Sequence, residues 1–286
     1  MIKKLHYLLI TGFIIFSIAN SFAQKYNRLP QNATTWQMFT YDMGNVFGGM
    51  GYAYSRPFYW QKDDFVTFGA LAGSASLLYI VDDKTSDFFR KQKRDVPEWL
   101  LDYGWYYGSP QNNYALSGLV YLTGLFSKNE KLRRTGVLLI SSASAAGFLQ
   151  QVTQKLAGRA RPRTNKGKNF FQPFSDGSDY RSFPSGHTVL SFTNAYAIAK
   201  QFRNPWVKAG IYAVGLVPPV TRLWEGAHFL TDIVLSVGLS IATVEAVDAY
   251  LDYKYEQKYN DNSQKQKKLS WNLQFGLGQV GITGTF

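Results

Sequence analysis

Two histidines stand in surroundings suited to nucleophilic and acid–base chemistry. His187 closes the tetrapeptide PSGH at positions 184–187, and His228 lies four residues before Asp232. If His228 opens a helix, Asp232 lies one turn further along the same face, where its carboxylate can accept a hydrogen bond from one ring nitrogen. The other ring nitrogen is then unprotonated and nucleophilic. This is the arrangement of a catalytic triad in which histidine itself is the attacking group.

The segment at positions 184–187 is suited to hold an anion. An apolar run follows it directly, so its backbone N–H groups lie at a predicted helix N-terminus, where unpaired amides and the helix dipole attract negative charge. Gly186 removes a side chain where the backbone must approach a ligand, and Ser185 adds a hydroxyl donor. An ordinary capped helix start is the alternative interpretation of the same tetrapeptide.

Cationic side chains at two further places have the chemistry to bind the oxygens of such an anion. Arg222 precedes His228, and residues 155–163 contain Lys155, Arg161 and two more arginines. A planar guanidinium group can donate two parallel hydrogen bonds to a phosphate. A basic loop is more often a solvated surface, so this segment alone favours phosphate binding only weakly.

Taken together, these motifs resemble the type 2 phosphatidic acid phosphatase superfamily, which also contains bacterial acid phosphatases and vanadium haloperoxidases. Its signature reads K-x6-R-P, P-S-G-H and S-R-x5-H-x3-D, and the resemblance covers about residues 150–244. Thr221 replaces the usual serine of the third motif. In the first motif Gln154 stands at the expected lysine position, and Lys155 lies one residue closer to Arg161, which rotates the ammonium by about 100° on a helix. A long lysine can still reach a phosphate, and covering the helix end is the alternative role.

The resemblance implies a metal-independent mechanism through a phosphohistidine, with no cofactor. His228 is the expected nucleophile, Asp232 the residue that fixes its tautomer, and His187 the general acid that later activates water. The residues expected to bind the phosphate are Lys155, Arg161, Ser185, Gly186 and Arg222. We expect no metal site, because no cluster of carboxylates and histidines remains once Asp232 is assigned to His228.

The elements that position these residues are predicted from composition. Of 286 residues, 45% are hydrophobic and 17% charged, and none is cysteine, which excludes a disordered chain, disulfides and thiolate metal sites. Six charge-free stretches have the length and composition of helices. They are residues 65–81, 114–126, 136–154, 187–199, 209–220 and 233–244. The predicted fold class is therefore all-α, a bundle of about six core helices, and the resemblance implies the same layout.

The two ends of the chain differ from this core. Residues 1–23 carry Lys3 and Lys4, then an apolar run and small residues, which predicts a cleaved signal peptide and an exported protein of the periplasm or cell envelope. An uncleaved anchor helix is the alternative. Residues 256–286 combine a charged linker with period-two alternation, which predicts a short β-type C-terminal tail. The phosphatase-like helical domain is accordingly assigned to residues 24–255.

Charge and aromatic content indicate the class of partner. The 31 Lys and Arg residues against 19 Asp and Glu give a net charge of +12, which favours anionic partners, and export argues against nucleic acid. With 16% aromatic residues, the chain suits a phosphorylated lipid at a membrane surface, which is itself a candidate partner. The lipids considered are phosphatidylglycerol phosphate, undecaprenyl pyrophosphate, phosphatidic acid and lipid A phosphate.

Two other activities and two locations are left open by the sequence. A soluble periplasmic acid phosphatase acting on small phosphoesters is the first alternative activity, and a vanadate-dependent haloperoxidase is the second. The last three charge-free stretches have only 12 or 13 residues, short of the ~20 that span a bilayer. This favours a globular periplasmic bundle resting on a membrane over an integral membrane protein. The oligomeric state is not indicated.

Overall fold

The computed structural model describes residue 29 and residues 32–258, together with two strands at 270–276 and 279–285. Within these residues the chain forms eight α-helices. They are α1 (Thr35–Ser55), α2 (Lys62–Gln92), α3 (Glu98–Tyr107), α4 (Pro110–Phe126), α5 (Glu130–Ala157), α6 (Gly186–Ala199), α7 (Pro205–Trp224) and α8 (Leu230–Lys258). The predicted signal peptide at residues 1–23 lies outside the described residues.

All six charge-free stretches lie within helices, namely α2 and α4 to α8, so the all-α prediction is confirmed. Each helix is longer than its stretch because further residues continue it at one or both ends. In α7, for example, Asn204 caps the N-terminus by accepting a hydrogen bond from the N–H of Trp206 at 2.9 Å. The remaining two helices, α1 and α3, are additional to the prediction.

The two additional helices owe their stability to packing rather than to helix-favouring residues. Helix α1 contains several glycines, which weaken a helix in isolation. At Gly48 a Cβ atom would overlap the ring of Tyr250 on α8, so glycine is what permits this close approach. Helix α3 has only ten residues. Because both helices depend on contacts with distant parts of the chain, their local composition gives little sign of them.

Two strands, β1 (Ser270–Gly276) and β2 (Gln279–Thr285), form an antiparallel pair in which Ser270 lies opposite Thr285. The residues between α8 and β1 lie outside the described part of the chain. The β-type tail and its separation from the helical domain therefore stay predictions.

The core lies between α1, α4, α5 and α8. Val137, Leu138 and Leu139 of α5 and Val244 and Val247 of α8 are fully buried there. Burial of each such side chain stabilises the fold by about 1.5–3 kcal/mol. The core holds the long helices in register, and this register determines which of their ends meet.

One end of the bundle brings the three motifs together. Helices α5 and α7 end there, and helices α6 and α8 begin there. Helix α5 ends at Gly158, which has a left-handed φ of 59°. A Cβ atom at this position would overlap the carbonyl of Gln172, so glycine is required here. Beyond Gly158, the N–H of Arg163 donates to the carbonyl of Gly226 at 2.9 Å. This backbone contact joins the α5–α6 connection to the loop between α7 and α8, which is far away in sequence.

Three helices are long and apolar enough to cross a membrane, judged by length and composition: α2, α5 and α8. The expectation that the last three charge-free stretches are too short to span a bilayer does not hold for α8, because this helix extends well beyond residues 233–244. Helix α2 also leaves large apolar side chains uncovered: Phe65, Leu77 and Ile80 are 58%, 69% and 67% exposed. An exposed apolar surface of this kind is typical of contact with lipid or a partner.

Candidate active site

His228 is held by one hydrogen bond that determines its tautomer. The residue lies just before α8 and is 3% exposed. Its Nδ1 lies 2.5 Å from the carbonyl oxygen of Ser182. A carbonyl can only accept, so Nδ1 carries the hydrogen, and in the neutral ring Nε2 keeps its lone pair. The ring therefore has the tautomer that a nucleophilic Nε2 requires.

Asp232 has partners other than the one expected from the sequence. Its Oδ2 accepts hydrogen bonds from the hydroxyl of Ser182 at 2.5 Å and from the N–H of Phe229 at 2.8 Å. Its Oδ1 accepts from Nη1 of Arg159 at 2.5 Å. The ring N–H of His228 was expected to donate to Asp232, and it donates to the Ser182 carbonyl instead. Asp232 thus holds the two backbone segments that flank the ring, instead of bonding to the ring itself.

His187, in the first turn of α6, is the second imidazole of the site and is half-buried. Burial, followed by the positive charges of Arg222 and Arg161, lowers its pKa to about 4. Its Nε2 is buried and has no hydrogen-bond partner among the described residues. The ring lies 4.9 Å from that of Trp105, and at Gly108 a Cβ would lie 2.8 Å from the imidazole Cδ2. Helix α3 thus forms a wall against this histidine.

Two arginines complete the cluster, of which Arg222 is buried and Arg161 is half-buried. The positive charges of Arg161 and Arg222 also lower the pKa of His228, after the larger effect of its burial. Within the part of the chain that the structure describes, the Nε atom of each arginine is buried without a partner. Arg222 is 2% exposed, pairs with Glu225 at 2.7 Å, and has its Cζ 5.1 Å from the centre of the Trp105 ring. Buried donors without partners cost about 1–3 kcal/mol each, so such a cluster is suited to receive an anion.

The PSGH loop is fixed by hydrogen bonds at both its ends. The hydroxyl of Ser185 caps α6 by accepting from the N–H of Thr188 at 3.4 Å, and the N–H of Ser185 donates to the hydroxyl of Ser236 at 2.8 Å. At Gly186 a Cβ would only make ordinary contact with Gln150, at 3.4 Å. Contacts within the protein therefore do not by themselves require glycine at position 186. The Ser185 backbone N–H is already used, which leaves its hydroxyl hydrogen as the donor available to a ligand.

Lys155 is placed apart from this cluster. Its ammonium pairs with Asp176 and donates to the Ser175 carbonyl at 3.1 Å. Gln154, at the position where the family has lysine, donates to the carbonyl of Pro184 at 2.8 Å. The one-residue shift thus turns Lys155 towards the loop and leaves Gln154 to tie α5 to the PSGH segment. The prediction that Lys155 contacts the phosphate has no support in these contacts.

Several residues around the cluster were not predicted. Trp105 contacts both His187 and Arg222, and Ser182 and Arg159 are bonded to Asp232 as described above. Arg159 also pairs with the buried Asp82 of α2 at 2.9 Å. An arginine-rich loop was apparent in the sequence, but neither Trp105 nor Asp82 belongs to a local pattern that could have identified it.

The electrostatics of His187 lead to a prediction about ligand binding. A bound dianion offsets the two arginines, so it should raise the depressed pKa of His187 and drive uptake of a proton. Affinity for sulfate, which stays a dianion throughout, should therefore increase as the pH falls from 7 to 5, by up to ~10-fold per pH unit. Calorimetry in buffers of different ionisation enthalpy measures the uptake directly. His187→Gln should abolish it, whereas affinity that is independent of pH would contradict this account.

Among the described residues, no group of three or more histidine, aspartate and glutamate side chains is arranged to hold a metal ion. This leaves metal independence as a prediction for a chelator to test.

Comparison with known proteins places the cluster in a family. Residues 135–255 match the model of the PAP2 superfamily, a range that contains all three motifs. Over 103 residues the chain is 32% identical to a lipid A 1-phosphatase of Rhizobium etli and 33% identical to one of Rhizobium johnstonii. The matched part is 35% of this chain and 43% and 41% of those two proteins, less than half their length. No solved structure matches the chain significantly. The helical region of residues 135–255 belongs to the PAP2 superfamily, as its three motifs predict.

Proposed function

We propose that this protein is a phosphatase that acts through His228 without a metal ion. The observation that carries the proposal is the cluster of two histidines and two arginines, in which His228 and Arg222 are buried and His187 and Arg161 are half-buried. In it, Nε2 of His187 and the Nε atoms of Arg161 and Arg222 lack partners among the residues described. A tetrahedral phosphate dianion supplies acceptor oxygens and negative charge, which are what this cluster lacks.

The tautomer of His228 defines the first chemical step. Nε2 attacks phosphorus in line and forms a P–N bond while the bond to the leaving oxygen breaks. His187, protonated once the dianion is bound, gives its proton to that oxygen. Arg161 and Arg222 stabilise the charge on the equatorial oxygens, which is the largest contribution expected in phosphoryl transfer.

The second step regenerates the protein. His187, now neutral, takes a proton from water as the water oxygen attacks phosphorus. The P–N bond then breaks, inorganic phosphate leaves, and His228 recovers its lone pair. The Ser182 carbonyl accepts from the Nδ1–H of His228 at 2.5 Å, so it can stabilise the positive charge that the ring carries in the intermediate.

A phosphorylated lipid is the substrate class that the surroundings of the site favour. A cavity of about 420 Å³ lies between α2 and α8, lined mainly by apolar side chains such as Phe68, Leu71 and Leu235. Phe183 and Thr231, which also line it, are the neighbours of Pro184 and Asp232. The cavity therefore has the chemistry to hold a hydrocarbon chain beside the cluster.

The names of the relatives and the exposed helix both bear on the choice of lipid and location. Both relatives are named lipid A 1-phosphatase, which makes a lipid A phosphate the first of the four lipids to test. The exposed apolar face of α2 favours attachment of the protein to the cell envelope membrane. Membrane fractions washed with carbonate should retain the protein, and release into the wash would favour the soluble acid phosphatase.

The test is phosphate release by the full chain from a panel of substrates in mixed micelles. The panel contains p-nitrophenyl phosphate and the four lipids, each assayed with and without chelator. We expect kcat/KM for at least one lipid to exceed that for p-nitrophenyl phosphate by roughly tenfold or more, because the cavity adds binding, and chelator to have no effect. Loss of activity with chelator would overturn the metal-free mechanism. Equal rates on all substrates would favour the soluble phosphatase that acts on small phosphoesters. Oxidation of bromide that depends on added vanadate would favour the haloperoxidase.

A further inference from the structure

We propose that Ser182 is a positioning residue through which Asp232 orients His228, and that Arg159 and Asp82 hold Asp232 in place for this purpose. The inference rests on the proposed function, since it assigns a role in the reaction of the same site. It differs from a direct Asp–His pair in which the carboxylate bonds to the ring.

Each polar group of Ser182 has a partner in the site. Its carbonyl accepts from Nδ1 of His228 at 2.5 Å, its hydroxyl donates to Asp232 at 2.5 Å, and its N–H donates to the Arg159 carbonyl at 3.0 Å. The residue is fully buried. The three bonds restrain the residue through its side chain and through the peptide units on both sides of its Cα, so the carbonyl has little freedom to turn. The orientation of the imidazole is thereby coupled to the position of the carboxylate.

Arg159 fixes the other side of the same carboxylate. Its Nη1 donates to Asp232 at 2.5 Å, and its Nη2 pairs with Asp82 at 2.9 Å. Its Nε donates to the carbonyl of Lys168 at 3.2 Å, and its Cζ lies 4.2 Å from the centre of the Phe229 ring. All its nitrogens are thus used within the protein. Arg159 therefore differs from Arg161, whose Nε is free of such contacts among the described residues.

Asp82 anchors this unit to α2. It is fully buried, accepts from the backbone N–H of Thr231 at 3.1 Å, and is also bonded to the Thr231 hydroxyl. Thr231 is the neighbour of Asp232 in the first turn of α8. With Asp82 on one side and Asp232 on the other, the charge of Arg159 is compensated, as a buried cation requires. The pair positions Asp232 so that its Oδ2 points to the Ser182 hydroxyl.

A double-mutant cycle on the full chain tests the inference. Ser182→Ala keeps the carbonyl but removes the link to Asp232, so kcat should fall about tenfold, the loss expected for a hydrogen bond to a charged group. KM should stay within about twofold, since no phosphate contact is lost. Asp232→Ala should lower kcat by about 10²–10³-fold. The double variant should then lie within about twofold of Asp232→Ala alone, because the link is already broken.

Matched variants separate positioning from stability. Ser141→Ala removes another fully buried hydroxyl, which donates to the Val46 carbonyl at 2.8 Å away from the site; kcat should stay within about twofold of the wild type. Ser182→Cys keeps the side-chain size with a weaker donor and should lower kcat less than alanine does. The cysteine variant keeps the test valid even if the alanine variant does not fold.

The outcomes distinguish this inference from the proposed function. A wild type that releases no phosphate from any substrate overturns the proposed function. If the wild type is active, two results overturn the inference alone. One is a kcat of Ser182→Ala within about twofold of that of Ser141→Ala, and the other is a kcat of the double variant a further tenfold below that of Asp232→Ala. A fall in kcat with unchanged KM and a non-additive double variant support the link through Ser182.

Discussion

Replacing His228 by alanine should lower kcat by at least about 10⁴-fold on every substrate that the wild type hydrolyses. The variant has no group to form the P–N bond, and water alone must then attack the bound phosphate. The substitution also leaves the Ser182 carbonyl without its partner, which should lower the free energy of unfolding by about 1–3 kcal/mol. Phosphate release and the melting temperature, measured on the same preparation, check both expectations.

The control for this variant is binding of an unreactive anion. His228→Ala keeps Arg161, Arg222 and His187, so sulfate should still bind, with affinity within about tenfold of the wild type. Residual turnover above about one per cent of the wild-type rate in a folded preparation would rule out His228 as the nucleophile.

Replacing Arg161 by alanine should lower kcat/KM by about 10²–10³-fold. The guanidinium has a buried Nε and lies close enough to both histidines to lower their pKa values, and loss of one preorganised donor to the transition state has an effect of this size. Removing the positive charge should also bring the pKa of His187 back towards its usual value, because Arg161 is one of the two charges that lower it. The pH profile of kcat/KM reports that shift.

Two neighbouring cations provide matched controls for Arg161. Arg163 pairs with Asp179 and is 44% exposed, and Lys155 pairs with Asp176. Alanine at either position should change kcat/KM by less than about threefold, because exposed ion pairs contribute little. A loss for Lys155→Ala as large as that for Arg161→Ala would restore Lys155 as a phosphate ligand and contradict the placement found here.

The helices that were predictable are those whose apolar residues form long uninterrupted stretches. Residues 136–154, for example, lie within α5 because a charge-free run of that length has no other stable place than a buried or lipid-facing helix. Helix α1 was not predicted, because the glycines at positions 48 and 49 weaken a helix unless Tyr250 packs against them, as it does here. Such a contact depends on the finished fold.

The site was predictable to the extent that its residues lie in motifs. His187, His228, Arg161 and Arg222 meet as the motifs imply, and their roles in catalysis stay predictions. The partners of Asp232 were not predictable, because they join residues remote in sequence. Asp82 and Thr231 are 149 positions apart, and Ser182 and Asp232 are 50 apart. Spacing along one helix suggested a direct bond from Asp232 to His228, and the hydrogen bonds of Ser182 replace it.

The most direct test of the account is to trap the covalent intermediate. Rapid acid-free quenching of the full chain during turnover of a ³²P-labelled substrate, followed by peptide mapping, shows whether a phosphoryl group is transferred to the protein. We predict label that is stable to alkali, labile to acid and confined to the peptide containing His228, and its absence in His228→Ala. Label on another residue, or rapid turnover with no label at any time after mixing, would contradict the central claim that His228 attacks phosphorus.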